Sequence, residues 1–195
     1  MHERGFGVAD PDGRPVTPRT PFILGSMTKS FTALAVMQLV EQGRVVLDAP
    51  VQRYLPWFAL RDSAASARIT VRQLLNHTSG IPKSAGLEIV RSAEARTLTQ
   101  ERSLLAAVRL THTPGAVFEY SNANYWVLGR VLEAATDTPY AAFVHEHILA
   151  PLGMSHTYTS ERDARREGLA QGYRVWFGFP RPEDLPYYER ELAVG

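Results

Sequence analysis

The chain contains no cysteine. Disulfides, thiolate metal sites and cysteine nucleophiles are therefore excluded together, while the compartment stays open because exported proteins can also lack cysteine. Lysine is nearly absent: Lys29 and Lys83 are the only two, and every other basic residue is arginine. Where arginine serves for surface charge, a lysine stands out, because a buried lysine can lose its proton and an arginine effectively cannot. An excess of one charge sign is missing too. The balance of 21 Lys+Arg against 20 Asp+Glu gives a net charge of +1, which makes no electrostatic case for nucleic acid or an anionic membrane as partner. There is no long apolar run; the best, Phe31 to Val40, carries Thr32 and Gln38 and is far too short to span a bilayer. No signal peptide opens the chain, since His2, Glu3 and Arg4 precede Gly5 and Gly7. The expectation is a cytosolic chain or one without its leader. No internal repeat, low-complexity segment or domain linker is visible.

What is present suits a folded domain: 195 residues, 45% hydrophobic, enough to bury a core. The Asp10-Pro11-Asp12-Gly13 cluster after Phe6 and Val8 predicts a hairpin corner. Thr20 to Gly25 reads as a strand-like approach to Ser26. From Ser26 to Gln42 the steps of Met27, Phe31, Leu34, Ala35, Gln38 and Leu39 predict a helix, stopped by Gly43. Val45 to Tyr54 is a turn-rich connector. Thr70 is placed to cap a short helix to Leu75, followed by a loop at Asn76-His77-Thr78-Ser79-Gly80. Further helices are predicted over Ser103–Leu110, Ser121–Thr136 (with Tyr125, Leu128, Val131 and Leu132 on one face) and Tyr140–Leu149. The aromatic and proline-rich tail, Gly172 to Tyr188, reads as an irregular loop.

Ser26-Met27-Thr28-Lys29 sets a serine and a lysine one turn apart on one helix face. A serine hydroxyl needs a neighbour to take its proton, and desolvation can make lysine that neighbour. A helix N-terminus adds free N–H groups and partial positive charge. The same pattern would serve as a capping serine with a solvated lysine. Tyr120-Ser121-Asn122 stands at the next helix start, after the Pro114-Gly115 turn. A tyrosine becomes a base only where cations hold its phenolate; Asn122 could donate to a substrate carbonyl or hold Lys29. Here the plain alternative is a buried tyrosine ahead of a capping serine. His145-Glu146-His147 does not share a helix face and is not read as a metal pair. Arg162, Arg165 and Arg166 with Glu161, Asp163 and Glu167 read as a solvated charged face.

Taken together, these motifs resemble the serine β-lactamase-like family: class C β-lactamases, D-Ala-D-Ala carboxypeptidases and related esterases. The matching stretches are Gly25-Ser26-Met27-Thr28-Lys29-Ser30-Phe31-Thr32-Ala33 and Ile69-Thr70-Val71-Arg72-Gln73-Leu74-Leu75-Asn76-His77-Thr78-Ser79-Gly80-Ile81-Pro82. Pro114-Gly115, Phe118-Glu119-Tyr120-Ser121-Asn122 and Pro151-Leu152-Gly153-Met154 with Thr157 follow in family order over roughly residues 6 to 160. The resemblance implies an α+β fold with the nucleophile where a helical region meets an antiparallel sheet. It implies Ser26 as the acylated nucleophile, Lys29 as its proton partner, Tyr120 as the base and Asn122 as a substrate contact. His77 receives a structural role only. No metal or organic cofactor is implied, and the substrate would be a β-lactam, an ester or a D-amino-acid peptide.

The family's third motif, Lys-Thr-Gly or His-x-Gly on a late strand that supplies the second oxyanion N–H, has no match after Asn122: Glu167-Gly168, Gln171-Gly172 and Phe177-Gly178 lack the preceding pattern. The expectation is thus one incomplete domain over 1–195. Residues 1–25 would be the strand and turn part, 26–160 the nucleophile helix and helical region, and 161–195 an aromatic loop leading toward further strands. Such a chain would be weakly active or inactive alone and prone to self-association through an open sheet edge. The rival expectation is a non-catalytic binding or assembly module on the same fold.

Overall fold

In the computed structural model, which describes residues 3–86, 98–177 and 179–182, Ser26 lies in a short 3-10 turn, Gly25–Met27, that runs directly into helix α1 (Thr28–Glu41). The helix therefore starts two residues later than its pattern predicts. α1 turns Lys29, Thr32, Ala35, Val36 and Leu39 inward, whereas Met27 and Leu34, predicted on the inner face, are 67% and 44% exposed. The cause is polar: Thr32, fully buried, shares a 2.8 Å hydrogen bond with the Tyr140 hydroxyl, and Lys29 also points in. Apolar spacing alone does not register a face that includes a threonine and a lysine. Gln42 and Gly43 end the helix, Gly43 in the left-handed region that its missing Cβ permits.

Short helices follow: α2 (Ser63–Ser66), capped by Asp62, and α3 (Val71–Leu75). Thr70 and Gln73 form a reciprocal capping box on α3, Gln73 N–H donating to Thr70 Oγ1 and Thr70 N–H to Gln73 Oε1. α4 spans Leu98–Ala107, earlier than the predicted 103–110. Its Glu101 accepts from Arg130 of the next helix at 2.6 Å, and Arg130 also holds Glu133 at 2.8 Å. That long-range ion pair, which local propensity does not contain, fixes where α4 lies.

The centre of the protein is α5 (Asn122–Thr136), with Ser121 as its N-cap residue and Asp137 ending it in a left-handed conformation. It packs against α1, α3 and α6 (Tyr140–Val144). Leu128, Val131 and Leu132 are fully buried and Tyr125 nearly so, as the sequence predicts. α6 continues as a π-helical turn, His145–Leu149, and α7 covers Glu161–Arg166. The charged face on α7 is real: Arg165 pairs with Glu161 and Arg166 with Asp163, with Ala164 buried beneath. Among the described residues no helix is long and apolar enough to cross a membrane.

The sheet component is small. The corner at Asp10–Gly13 forms as predicted, with Val8 bridging Pro15 and Ala9 N–H bonded to the Arg14 carbonyl at 2.7 Å. The approach to Ser26 over Thr20–Leu24 is not a strand, although Ala170 N–H donates to the Pro21 carbonyl. The segment 161–182 is not an irregular loop. After α7 it forms an antiparallel hairpin, β1 (Tyr173–Trp176) and β2 (Phe179–Pro182), with Val175 opposite Pro180 and every strand residue exposed. The predicted loop over residues 183–188 lies outside the described residues. The architecture is α+β, mainly helical with this two-stranded sheet.

One glycine is fixed by its surroundings. Gly80 has φ +80°, and a Cβ there would lie 2.1 Å from the His112 carbonyl oxygen. Gly80→Ala is expected to lower stability by about 2 kcal/mol or more, since left-handed strain and backbone overlap add. Urea unfolding would measure it, and an unchanged midpoint would refute the reading.

Candidate active site

Two loops and one turn assemble the site. The Asn76–Gly80 loop and the 111–120 segment are joined by three backbone bonds: Thr111 N–H to the Gly80 carbonyl, Gly115 N–H to Thr78 and Glu119 N–H to His77. Glu119 strengthens this seam by accepting from Lys83 N–H and Thr111 Oγ1. The seam delivers Tyr120 to the 3-10 turn that carries Ser26. Their hydroxyls lie 2.8 Å apart. Lys29, in the first turn of α1, reaches back to place Nζ 3.4 Å from Ser26 Oγ.

Lys29 is only 7% exposed. Its ammonium stands 5.2 Å from the Tyr120 ring centroid and 5.7 Å from that of Tyr125. Burial pushes the Tyr120 phenol up, but hydrogen bonds with Lys29 and Ser26 and the charges of Lys29 and Lys83 outweigh it, so Tyr120 sits below the ordinary tyrosine value. Tyr125, whose hydroxyl donates to the Leu75 carbonyl at 3.1 Å, goes the other way, raised first by burial and then by the Tyr120 charge. The surroundings thus push the two tyrosines in opposite directions.

Asn122 opens α5. Its Oδ1 is buried and accepts no hydrogen bond, so it does not hold Lys29 through that oxygen. Leaving a buried carbonyl unpaired costs about 1–3 kcal/mol. The fold brings the predicted Ser26, Lys29 and Tyr120 into one contact, with Asn122 two residues beyond Tyr120; the sequence pattern does not reveal the ring beneath them. His77 is 8% exposed and lies 4.7 Å from Tyr120 and 5.1 Å from Tyr125, centroid to centroid. The Asn76–Gly80 motif signals a shaped loop; nothing in it signals contact with Tyr120.

Burial, with the Lys29 charge adding, lowers the His77 pKa from 6.5 to about 4. The unfolded chain therefore takes up a proton that the folded one refuses as pH falls from about 6.5 to about 4, so stability drops across that window and levels below it. The expected loss is about 3 kcal/mol. Urea midpoints from pH 7 to pH 4 test this, with His77→Asn expected to flatten the dependence; equal slopes for both proteins would count against it.

Behind the nucleophile turn lies a cavity of about 380 Å³ between Thr20–Gly25, α1 and residues 156–161, lined by Ile23, Phe31 and Leu149 among others; Ser26 is not part of its wall.

Comparison with known proteins gives the family. A family model described as "Beta-lactamase" matches residues 1–191. Protein flp of Staphylococcus aureus (strain MW2) is 33% identical over 173 residues, covering 88% of this chain and 35% of that protein. Esterase EstB of Burkholderia gladioli is 40% identical over 167 residues, 79% of this chain and 42% of its own length. The octameric penicillin-binding protein homologue from Pyrococcus abyssi superposes with a TM-score of 0.76 at 31% identity, over 96% of this chain and 44% of that one. The chain thus spans well under half the length of these relatives. With the motif order, the contact of Ser26, Lys29 and Tyr120 and a family match over nearly its whole length, this chain belongs to the β-lactamase family.

Proposed function

We propose that the chain carries the acylation machinery of a serine hydrolase. The observation that supports this most strongly is the three-way contact: Ser26 Oγ lies 2.8 Å from Tyr120 Oη and 3.4 Å from Lys29 Nζ, with the lysine buried. Tyr120, lowered by Lys29, takes the Ser26 proton as Oγ bonds to the substrate carbonyl carbon. The tetrahedral adduct collapses, the bond to the leaving alkoxide or amine breaks, and Tyr120 returns the proton to it. Water then attacks the Ser26 ester by the same route in reverse. Lys29, 3.4 Å from Ser26 Oγ, is the proton partner in this exchange, and its hydrogen bond and charge favour the Tyr120 phenolate. Asn122, with an unpaired amide oxygen, is the substrate contact. EstB is named an esterase and the Pyrococcus protein is titled a penicillin-binding protein homologue, so the substrate class proposed is an ester, a β-lactam or a D-amino-acid peptide.

A second reading, a non-catalytic binding module, draws on the absence of a Lys-Thr-Gly or His-x-Gly sequence after Asn122 in these residues. Intact mass spectrometry after treatment with a fluorophosphonate or a β-lactam separates the two. An adduct mapped to Ser26 is expected; an unlabelled protein under conditions that label a control esterase would favour the binding module.

A further inference from the structure

We propose that His77 is a positioning residue for Tyr120: its Nδ1 is the shared acceptor for two donors at the start of α5, and its ring is the surface on which the Tyr120 ring rests. The inference builds on the reading of Tyr120 as the base, but the contact itself is measurable without turnover.

A directed chain of hydrogen bonds leads to it. Ile81 N–H donates to Ser79 Oγ at 3.1 Å, so the Ser79 hydroxyl hydrogen is free to donate to Asn124 Oδ1, 2.6 Å away. With Oδ1 used as acceptor, the Asn124 amide turns Nδ2 toward His77 Nδ1 at 3.1 Å. Ser121 N–H, 3.3 Å away, points at the same nitrogen. Two donors converging on Nδ1 require it to be unprotonated, so a neutral ring carries its proton on Nε2. Ser79, Ser121 and Asn124 are fully buried, so none of these groups can turn to water instead.

The other end of His77 is equally fixed. Its backbone has φ +56°, unusual for a residue other than glycine. Its N–H donates to the Leu74 carbonyl and its own carbonyl accepts from Glu119 N–H at 2.8 Å. His77 therefore ties the end of α3 to both neighbours of Tyr120, Glu119 and Ser121. The Tyr120 ring is then held in its middle, tilted 40° on the imidazole, and Phe118 closes the cage edge-on at 5.9 Å. Backbone fixed on both sides and ring supported from below leave the phenol oxygen where it is seen, against Ser26. The titratable groups that face the imidazole are Lys29, Tyr120 and Tyr125.

Three measurements on the full chain test this. In ¹⁵N-histidine NMR near neutral pH, His77 is expected to show a bare Nδ1 and a protonated Nε2; a proton on Nδ1 would overturn the proposal. In a ¹³Cζ-tyrosine titration, with Tyr120 assigned by its loss in Tyr120→Phe, His77→Phe keeps a ring but offers no acceptor. It is expected to raise the Tyr120 midpoint by about one pH unit and to slow fluorophosphonate labelling of Ser26 by about tenfold or more. His77→Asn places a carbonyl oxygen near the Nδ1 position and suits the left-handed backbone, so it is expected to retain labelling within about threefold and the Tyr120 midpoint within about 0.3 units. A purely structural histidine would lower the melting temperature of both variants and leave the Tyr120 midpoint of the folded protein unmoved, which overturns the proposal. Should His77→Phe not fold, His77→Asn decides: a Tyr120 midpoint moved by a full unit there rejects the acceptor role. Wild-type protein whose Ser26 resists labelling while Tyr120 still answers to His77 rejects the proposed function and upholds the positioning role.

Discussion

Replacing Ser26 with alanine is expected to abolish covalent labelling outright, and Lys29→Arg is expected to reduce the acylation rate by about 10²–10⁴, close to the full worth of a proton-transfer group. The second result discriminates more. Arginine keeps the positive charge, so a purely electrostatic lysine would be replaced with modest loss. A guanidinium cannot take up and release a proton, and its planar fork has to enter a position that is 7% exposed and already bounded by the Tyr120 and Tyr125 rings. Tyr120→Phe removes only the hydroxyl 2.8 Å from Ser26 and is expected to cost about 10²–10⁴ as well. Stopped-flow labelling with a fluorophosphonate, alongside melting temperatures to confirm folding, reads all three. Near-normal labelling by folded Lys29→Arg protein would reduce Lys29 to a fixed charge beside the site.

The 195 residues assayed by themselves are expected to hydrolyse nitrocefin and p-nitrophenyl esters weakly. The acyl oxygen of a serine hydrolase is held by two N–H donors, and the loss of one such donor costs about 10²–10³ in rate. The Ser26 N–H is at hand at the 3-10 turn. No Lys-Thr-Gly or His-x-Gly sequence that would bring the second follows Asn122 in these residues. The assay compares the chain with its Ser26→Ala variant at equal concentration. Turnover above about 1 s⁻¹, in the usual enzymatic range, that vanishes in Ser26→Ala would mean that a second donor is already in place.

The sequence was legible where local rules decide the outcome. The Thr70 cap, the Gly43 stop and the apolar face of α5 are set by residues within a few positions of one another, and all three read directly from the chain; the reciprocal bond from Gln73 that completes the cap does not. The Ser26–Lys29 pair also follows from spacing, although Ser26 sits on a 3-10 turn that leads into the first turn of α1, where Lys29 lies. Tyr120 is recognisable by its motif, but its distance to Ser26 across 94 residues is set by the seam between the two loops. Long-range polar contacts are what escaped. The inward face of α1 was misplaced because Thr32 finds Tyr140 across 108 residues. The role of His77 depends on partners 44 and 47 residues away. The β1–β2 hairpin was hidden because Pro180 and Pro182 argue against a strand and because both faces are exposed, so no alternation of apolar and polar residues marks it.

Those two prolines give the hairpin a direction of growth. Along an antiparallel strand successive N–H groups point alternately toward the partner and away from it. In β2 the residues that can donate are Phe179 and Arg181, paired with Trp176 and Arg174. Pro180 and Pro182, opposite Val175 and Tyr173, have no N–H at all. A third strand approaching the free side of β2 would find carbonyls without the donors between them, half of the ladder it needs. The free side of β1, with Tyr173 and Val175, has no such gap. Any strand that extends this sheet, from this chain or from another, is therefore directed to the β1 side, and the β2 side is a terminus written in the covalent structure.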